Sequence, residues 1–205
     1  MRTASITQKI REASQSMPEG AVLAARALLH LGSRAAVDQA LSRLARGGEI
    51  LRVGRGLYSP QLRSRFGSRG PRPEKLVQGV AALTGETIAQ SGASTANALG
   101  LTTQVPVRPV FLTSGRSRRL RLGSQIVELR HAPIWQLYSP TGAAGHALRA
   151  LAWLGPEHAP AAVAILRSTL PPGELRALAA VRARLPSWLA EILSRELAEE
   201  VPVRV

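Results

Sequence analysis

The sequence contains no cysteine. That absence excludes disulfides, thiolate zinc sites and cysteine nucleophiles together, and it fits a reducing compartment. Aromatic residues make up only 3%, so any core must be built from Leu, Val and Ala. Aspartate occurs once, at Asp38, which leaves two-metal nuclease or nucleotidyltransferase chemistry almost without ligands. His30, His131, His146 and His158 lack metal-ligand spacing, and none stands near a paired carboxylate in the sequence. Neither a P-loop nor a nucleophile elbow occurs. Ser94-Thr95 in a glycine-flanked turn invites a nucleophile reading, but helix N-capping accounts for the pair. The expectation is therefore no enzyme, no catalytic residue, no metal and no cofactor. No run approaches 18 apolar residues and Met1 to Gln8 hold no apolar leader core, so neither membrane spanning nor secretion is expected. The expected location is the cytoplasm.

Lysine is nearly missing as well. Lys9 and Lys75 are the only two, and the other 25 basic residues are arginine. The chain of 205 residues is 45% apolar, enough for one large domain or two small ones. Its net charge of +14 is uneven. Residues 1–72 hold 13 basic and 4 acidic residues, residues 73–140 hold 7 and 3, and residues 141–205 hold 7 and 6. A field concentrated at one end is what a polyanion-binding module requires; a basic but inert surface is the competing reading.

At that end lies the stretch from Gly32 to Tyr58, GSRAAVDQALSRLARGGEILRVGRGLY. Val37, Ala40, Leu41 and Leu44 recur at i, i+3, i+4 and i+7, a single apolar helical stripe. Ala35, Gln39, Ser42 and Arg46 fall on the opposite face, flanked by Asp38 and Arg43. Ser33 suits an N-cap and Gly47 a helix end. Ile50 to Val53, a turn at 54–56 and Leu57 to Ser59 then read as a two-stranded hairpin tipped by Arg55. A polar-faced helix followed by a basic hairpin is what a winged helix-turn-helix needs, the helix in the major groove and the wing on an adjacent groove or the phosphates.

In chain order, residues 3–16 predict a first helix with Ile6, Ile10 and Ala13 inward, broken at Pro18 and Gly20. Ala21-Val22 suggests a short strand and Ala24 to Leu31 a short helix. Residues 60–73, rich in Gly, Pro, Ser and Arg, have no periodicity and read as a basic linker, either simply solvated or touching phosphates. Glu74 to Leu83 is helical, and a short helix from Ala93 to Leu99 ends at Gly100. Strands are expected at 109–113, 119–122 and 126–131, the last two forming a hairpin around Gly123-Ser124. Helices are expected at 143–154, 157–168, 173–184 and 187–200, with Glu157, Glu174 and Glu191 in first turns. Tyr58, Trp135, Tyr138, Trp153 and Trp188 are too dispersed for a base-stacking platform and read as core anchors. The expected class is α+β: a winged helix-turn-helix domain over residues 1–60, a basic linker over 61–73, and a mixed α/β C-terminal domain over 74–205 ending in helices.

SRAAVDQALSRL at 33–44, GEILRVGRGLY at 48–58, STANALGLTTQVP at 94–106 and FLTSGRSRRLRLG at 111–123 follow one another in order. Together they resemble the antitoxins of type IV toxin–antitoxin systems, the AbiEi-like abortive-infection family, and its relatives described as transcriptional regulators. The first two segments are common to many winged helices; the last two are the more specific. The resemblance covers roughly residues 1–135. It implies an N-terminal winged helix on operator DNA, often inverted repeats upstream of the family's own operon. It also implies a C-terminal domain that assists repression and counteracts a nucleotidyltransferase-like toxin without a stable complex. Arg34, Gln39, Arg43, Arg46, Arg52 and Arg55 match the positions where such modules touch DNA.

The candidate DNA-binding residues are Ser33, Arg34, Gln39, Ser42, Arg43, Arg46, Arg52 and Arg55. Gln39 and Arg43, with Arg34 beside them, suit base edges, because Gln pairs bidentately with adenine and Arg with guanine. Arg46, Arg52 and Arg55 suit phosphates or the minor groove. Asp38 is awkward beside DNA unless it pairs with and orients Arg34 or Arg43. Arg116, Arg118, Arg119 and Arg121 form a candidate second basic surface, open to three roles: phosphate contact, contact with an acidic partner, or protection of an edge strand. The expected function is a sequence-specific transcriptional repressor acting as an antitoxin-type autoregulator, with double-stranded operator DNA as partner and no membrane. The alternatives are a toxin-neutralising interaction protein with secondary DNA binding, or a non-specific nucleic-acid binder.

Overall fold

The computed structural model describes residues 5–65 and 67–197. Two compact units share them: residues 1–86 with 118–128, and residues 87–117 with 129–205. The class is α+β, with N-terminal helices, small antiparallel sheets and C-terminal helices.

The first unit opens with helix α1 (Ile6–Gln15), where the Ser5 hydroxyl accepts from the Gln8 amide at 3.2 Å. Its inner face is Ile6, Ile10 and Ser14. Ala13, expected inside, is exposed, because the i+4 spacing continues from Ile10 to Ser14 and leaves residue 13 off the stripe. Residues 3 and 4 of the expected helix lie outside the described residues. Strand β1 (Leu23–Ala24) sits two residues beyond the Ala21-Val22 expectation, and the Ala25–Leu31 segment is a 3-10 helix. Helix α2 (Arg34–Arg46) buries Val37, Ala40, Leu41 and Leu44, the stripe expected from the sequence. They pack with Ile10, Leu23, Leu28, Ile50 and Tyr58 into one core.

The wing is β2 (Ile50–Gly54) and β3 (Leu57–Pro60), antiparallel, with β1 on the other side of β3. The register shifts between Arg52 and Gly54, and Gly56 takes a left-handed φ of 68° at the turn, a conformation that costs glycine little.

The described residues of 61–73 hold local structure. They carry a small hairpin, β4 (Leu62–Ser64) with β5 (Gly67–Arg69). Glu19 Oε1 accepts from Arg69 Nη1 at 3.1 Å and from the Arg72 amide at 3.0 Å. These bonds, led by the Arg72 amide, hold the Glu19 carboxyl below its usual range. Helix α3 (Pro73–Thr84) follows, with Leu76, Val77 and Val80 buried. Gly79 approaches the Gly20 carbonyl so closely that a Cβ there would overlap it.

The second unit holds β6 (Ile88–Gln90), which no sequence pattern announced, paired with β7 (Val110–Thr113). Between them runs helix α4 (Gly92–Ala98), with Gly100 left-handed just past its end. The Ser94–Thr95 pair is not the helix cap: Ser91 holds the N-cap position, and the buried Thr95 hydroxyl donates to the Ser91 and Gly92 carbonyls at 3.2 and 3.0 Å. Helix α5 (Ala143–Thr169) is broken at Gly155, whose φ of 76° and ψ of 176° are non-helical. That break, followed by Pro156, yields the two expected helices. Helix α6 (Pro172–Ala180) gives way to a 3-10 turn at Arg182–Arg184, and α7 spans Ser187–Glu196; the expected residues 198–200 lie outside the described residues. Glu174 does sit in a first turn, and its Oε2 also accepts from the Ala144 amide at 2.6 Å. Glu191 falls beyond the first turn of α7.

Leu148, Leu151, Val163, Leu166, Leu178, Leu189 and Leu193 are fully buried at the centre of the helical core. Trp135, Tyr138 and Trp188 pack on its rim, but Trp153 is 42% exposed and is no core anchor. Arg149 is buried at 1% exposure and donates to three carbonyls, those of Gln136, Tyr138 and Pro140, at 2.9–3.2 Å; its Nε has no partner. Burial of its charge lowers its pKa to about 10.

Candidate nucleic-acid interface

Helix α2 presents one polar face because its other face is committed to the core. Ser33 caps it, its hydroxyl accepting from the Ala36 amide at 3.3 Å. From that start Arg34, Gln39, Arg43 and Arg46 are all exposed, and Ser42 is half-buried. The spacing makes them neighbours along the helix surface. Arg34 Nε donates to Asp38 Oδ2 at 2.8 Å, an exposed i,i+4 ion pair. Arg43 Nη2 reaches Gln39 Oε1 only at 3.5 Å, and Arg46 Nε the Ser42 carbonyl at 3.4 Å. Asp38 thus takes Arg34 as its partner, and Gln39 and Arg43 stay loosely held.

An α-helix with its side chains is about 10–12 Å across, close to the width of the B-DNA major groove. The exposed face of α2 carries amide and guanidinium groups, whose donor and acceptor patterns are complementary to base edges. The wing strands place Arg52 and Arg55 outward while Ile50 and Val53 point into the core. Neither arginine forms an ion pair among the described residues.

Arg11 and Glu49 link α1 to the residue that precedes β2. Arg11 Nε and Nη2 grip both Glu49 oxygens, at 2.6 and 3.0 Å, bridging α1 to the start of the wing. The Arg11 hydrogen bond holds the Glu49 carboxyl below its usual range.

The candidate second basic surface has members in both units. Arg118 donates to Glu86 at 2.9 Å in the first unit. Arg116 belongs to the second unit. Arg119 and Arg121, on strand β8 (Arg118–Leu122), are exposed; their outward direction follows from the strand alternation that buries Leu120 and Leu122. Adjacency in the sequence groups the four as one cluster, and no local signal separates them.

The first unit holds 17 of the 27 basic residues and 7 of the 13 acidic ones. Among the described residues no group of three or more His, Cys, Asp or Glu is placed to hold a metal ion. Nor is any helix among them long and apolar enough to cross a membrane.

A family model matches residues 9–163, three quarters of the chain. The chain belongs to the family of unknown function DUF6088. The family match begins inside α1, spans the wing, α3 and the β8 hairpin, and ends inside α5. No curated protein matches this DUF6088 chain. Among solved structures, the crystal structure of the RV2827C protein from Mycobacterium tuberculosis is similar, with a TM-score of 0.48 and 17% identity over 97% of this chain and 78% of that one.

Proposed function

We propose that this DUF6088 protein is a sequence-specific DNA-binding transcriptional repressor. The observation that carries the reading is the exposed face of α2, with Gln39 and Arg43 outward on a helix whose opposite stripe is fully buried. The wing arginines Arg52 and Arg55 support it, as does the concentration of positive charge in the same unit. Gln39 and Arg43 read bases, Arg46, Arg52 and Arg55 hold phosphates, and the Asp38 ion pair orients Arg34.

The finer reading is an antitoxin-type autoregulator of a type IV toxin–antitoxin operon. It rests on the resemblance of residues 94–123 to AbiEi-like antitoxins and assigns the operator to the region upstream of the protein's own gene. A nucleotidyltransferase-like toxin encoded next to it is then the functional partner, without a stable complex.

The test is a gel shift with the upstream fragment. Gln39→Ala combined with Arg43→Ala abolishes retention while the far-ultraviolet circular dichroism spectrum stays that of the parent. Unchanged affinity in this folded double variant sinks the assignment of α2.

A further inference from the structure

The first unit is completed by a segment that the chain supplies late. After residues 87–117 the chain returns with β8 and the opening of β9 (Gln125–His131), and β8 lies beside the wing strand β2. The burial along β8 alternates: Leu120 and Leu122 are buried, Arg119 and Arg121 exposed. Leu120 lies against Gly54 of the wing, its Cδ2 3.8 Å from where a Cβ would stand. Leu122 and Leu51 close over Gly70, at 3.1 and 3.0 Å from the corresponding point. With the leucines anchored there, the two-residue period of a strand sends Arg119 and Arg121 to the opposite face. On that side Arg52, Arg55, Arg119 and Arg121 line one cleft of about 520 Å³, together with only Val53 and Gly54.

Four arginines therefore line a cleft with no acidic residue in its wall. Arg119 is 71% exposed and has Glu128 at 3.5 Å. Arg52, Arg55 and Arg121 form no ion pair among the described residues. Like charges gathered within a screening length of about 8 Å at physiological salt oppose folding. An anion with closely repeated charges reverses that sign, and a DNA strand offers a phosphate about every 3.4 Å along its axis. Guanidinium is also the side chain best shaped for phosphate oxygens.

We propose that the β8–β9 hairpin is a second wing, which grips the phosphate backbone of duplex DNA beside the segment held by the β2–β3 wing. The proposal rests on the DNA-binding reading of α2. It adds a role for residues 118–128: affinity and register without sequence information. Arg118, committed to Glu86, and Arg116, in the other unit, are not part of it.

Fluorescence anisotropy of the full chain, titrated against a labelled duplex of the upstream region between 50 and 300 mM salt, tests the idea. Arg119→Ala with Arg121→Ala lowers the slope of log affinity against log salt by about 1.8, two phosphates at about 0.9 each. The same variant weakens operator and random duplexes by one common factor, so their ratio stays constant. Arg119→Lys with Arg121→Lys keeps the slope, because lysine also binds phosphate as a point charge. Arg176→Ala with Arg184→Ala, exposed positions of the second unit, leaves it unchanged and controls for net charge. A parental slope in the alanine variant, with operator preference intact, overturns the second wing and leaves the α2 reading standing. A changed operator-to-random ratio overturns the backbone role in favour of base reading. A parent chain that binds neither duplex overturns both.

Discussion

Replacing Gly79 by alanine separates two opposing effects whose balance is set by one contact. In the middle of α3 the change gains about 1 kcal/mol of helix propensity. Against that, a Cβ at this position overlaps the Gly20 carbonyl oxygen and lies 2.9 Å from its carbon and 3.2 Å from Val22 Cγ2. The obstacle is backbone, so it cannot rotate away; α3 must lift from the Gly20 turn. Gly20 itself is held at a φ of 83° against the Lys75 backbone, so the turn has little freedom to yield. Overpacking of this kind costs about 1–3 kcal/mol, occasionally more. Because the obstacle is backbone, the cost falls at the upper end of that range, and the net expectation is destabilisation of up to about 2 kcal/mol. In a chain of this size each kcal/mol moves the melting temperature by about 2–4 °C. Gly173 provides the control: it lies in the first turn of α6, with nothing within 4 Å of where a Cβ would stand and no positive φ. There Gly173→Ala stabilises by about 0.4–1 kcal/mol. Differential scanning calorimetry of the two variants reads opposite signs. A rise in melting temperature for Gly79→Ala refutes the packing of α3 on the Gly20 turn, and with it the assignment of residues 73–84 to the first unit.

Three other outcomes follow from the same geometry. Glu49, held below its ordinary pKa of 4.5 by Arg11, contributes stability that is complete above that value and is lost as pH falls through the depressed one; Glu49→Gln therefore flattens the acid limb of the urea midpoint measured from pH 7 to 3. Ser33→Ala removes the α2 cap and costs about 1 kcal/mol in a denaturant titration. Asp38→Ala breaks an exposed ion pair worth only about 0.3–0.5 kcal/mol, so stability barely changes. On the proposed DNA-binding reading the same variant raises affinity for random duplex, because an acid leaves the exposed face of α2 and Arg34 is released.

The sequence was legible where one short-range pattern decided the outcome. The stripe of α2, its Ser33 cap, the glycine end and the paired helices around Gly155 all depend on neighbours within a few residues. Strand β1 was displaced by two residues because a two-residue pairing has no period to read. The β4–β5 hairpin and β6 were illegible for a related reason: three-residue strands are too short to show a period, and those of the hairpin, built largely from Gly, Ser and Arg, look like connections. The burial of α3 against Gly20 depends on a partner more than fifty positions away. The same limit applies to the candidate site. Residue types and helical spacing select Gln39, Arg43, Arg52 and Arg55 locally. That Arg119 and Arg121 share a cleft with Arg52 and Arg55, while Arg118 turns to Glu86, follows from the return of the chain at residue 118.

The central claim is that this chain reads DNA sequence and does not merely attract polyanions. Its most direct test is the ratio of affinities of the full chain for the duplex upstream of its own gene and for a scrambled duplex of equal length and composition, at one physiological salt concentration. Specific recognition predicts a preference of about a thousandfold or more. Equal affinities would leave only the electrostatic attraction that any basic surface has for DNA, and would contradict the account.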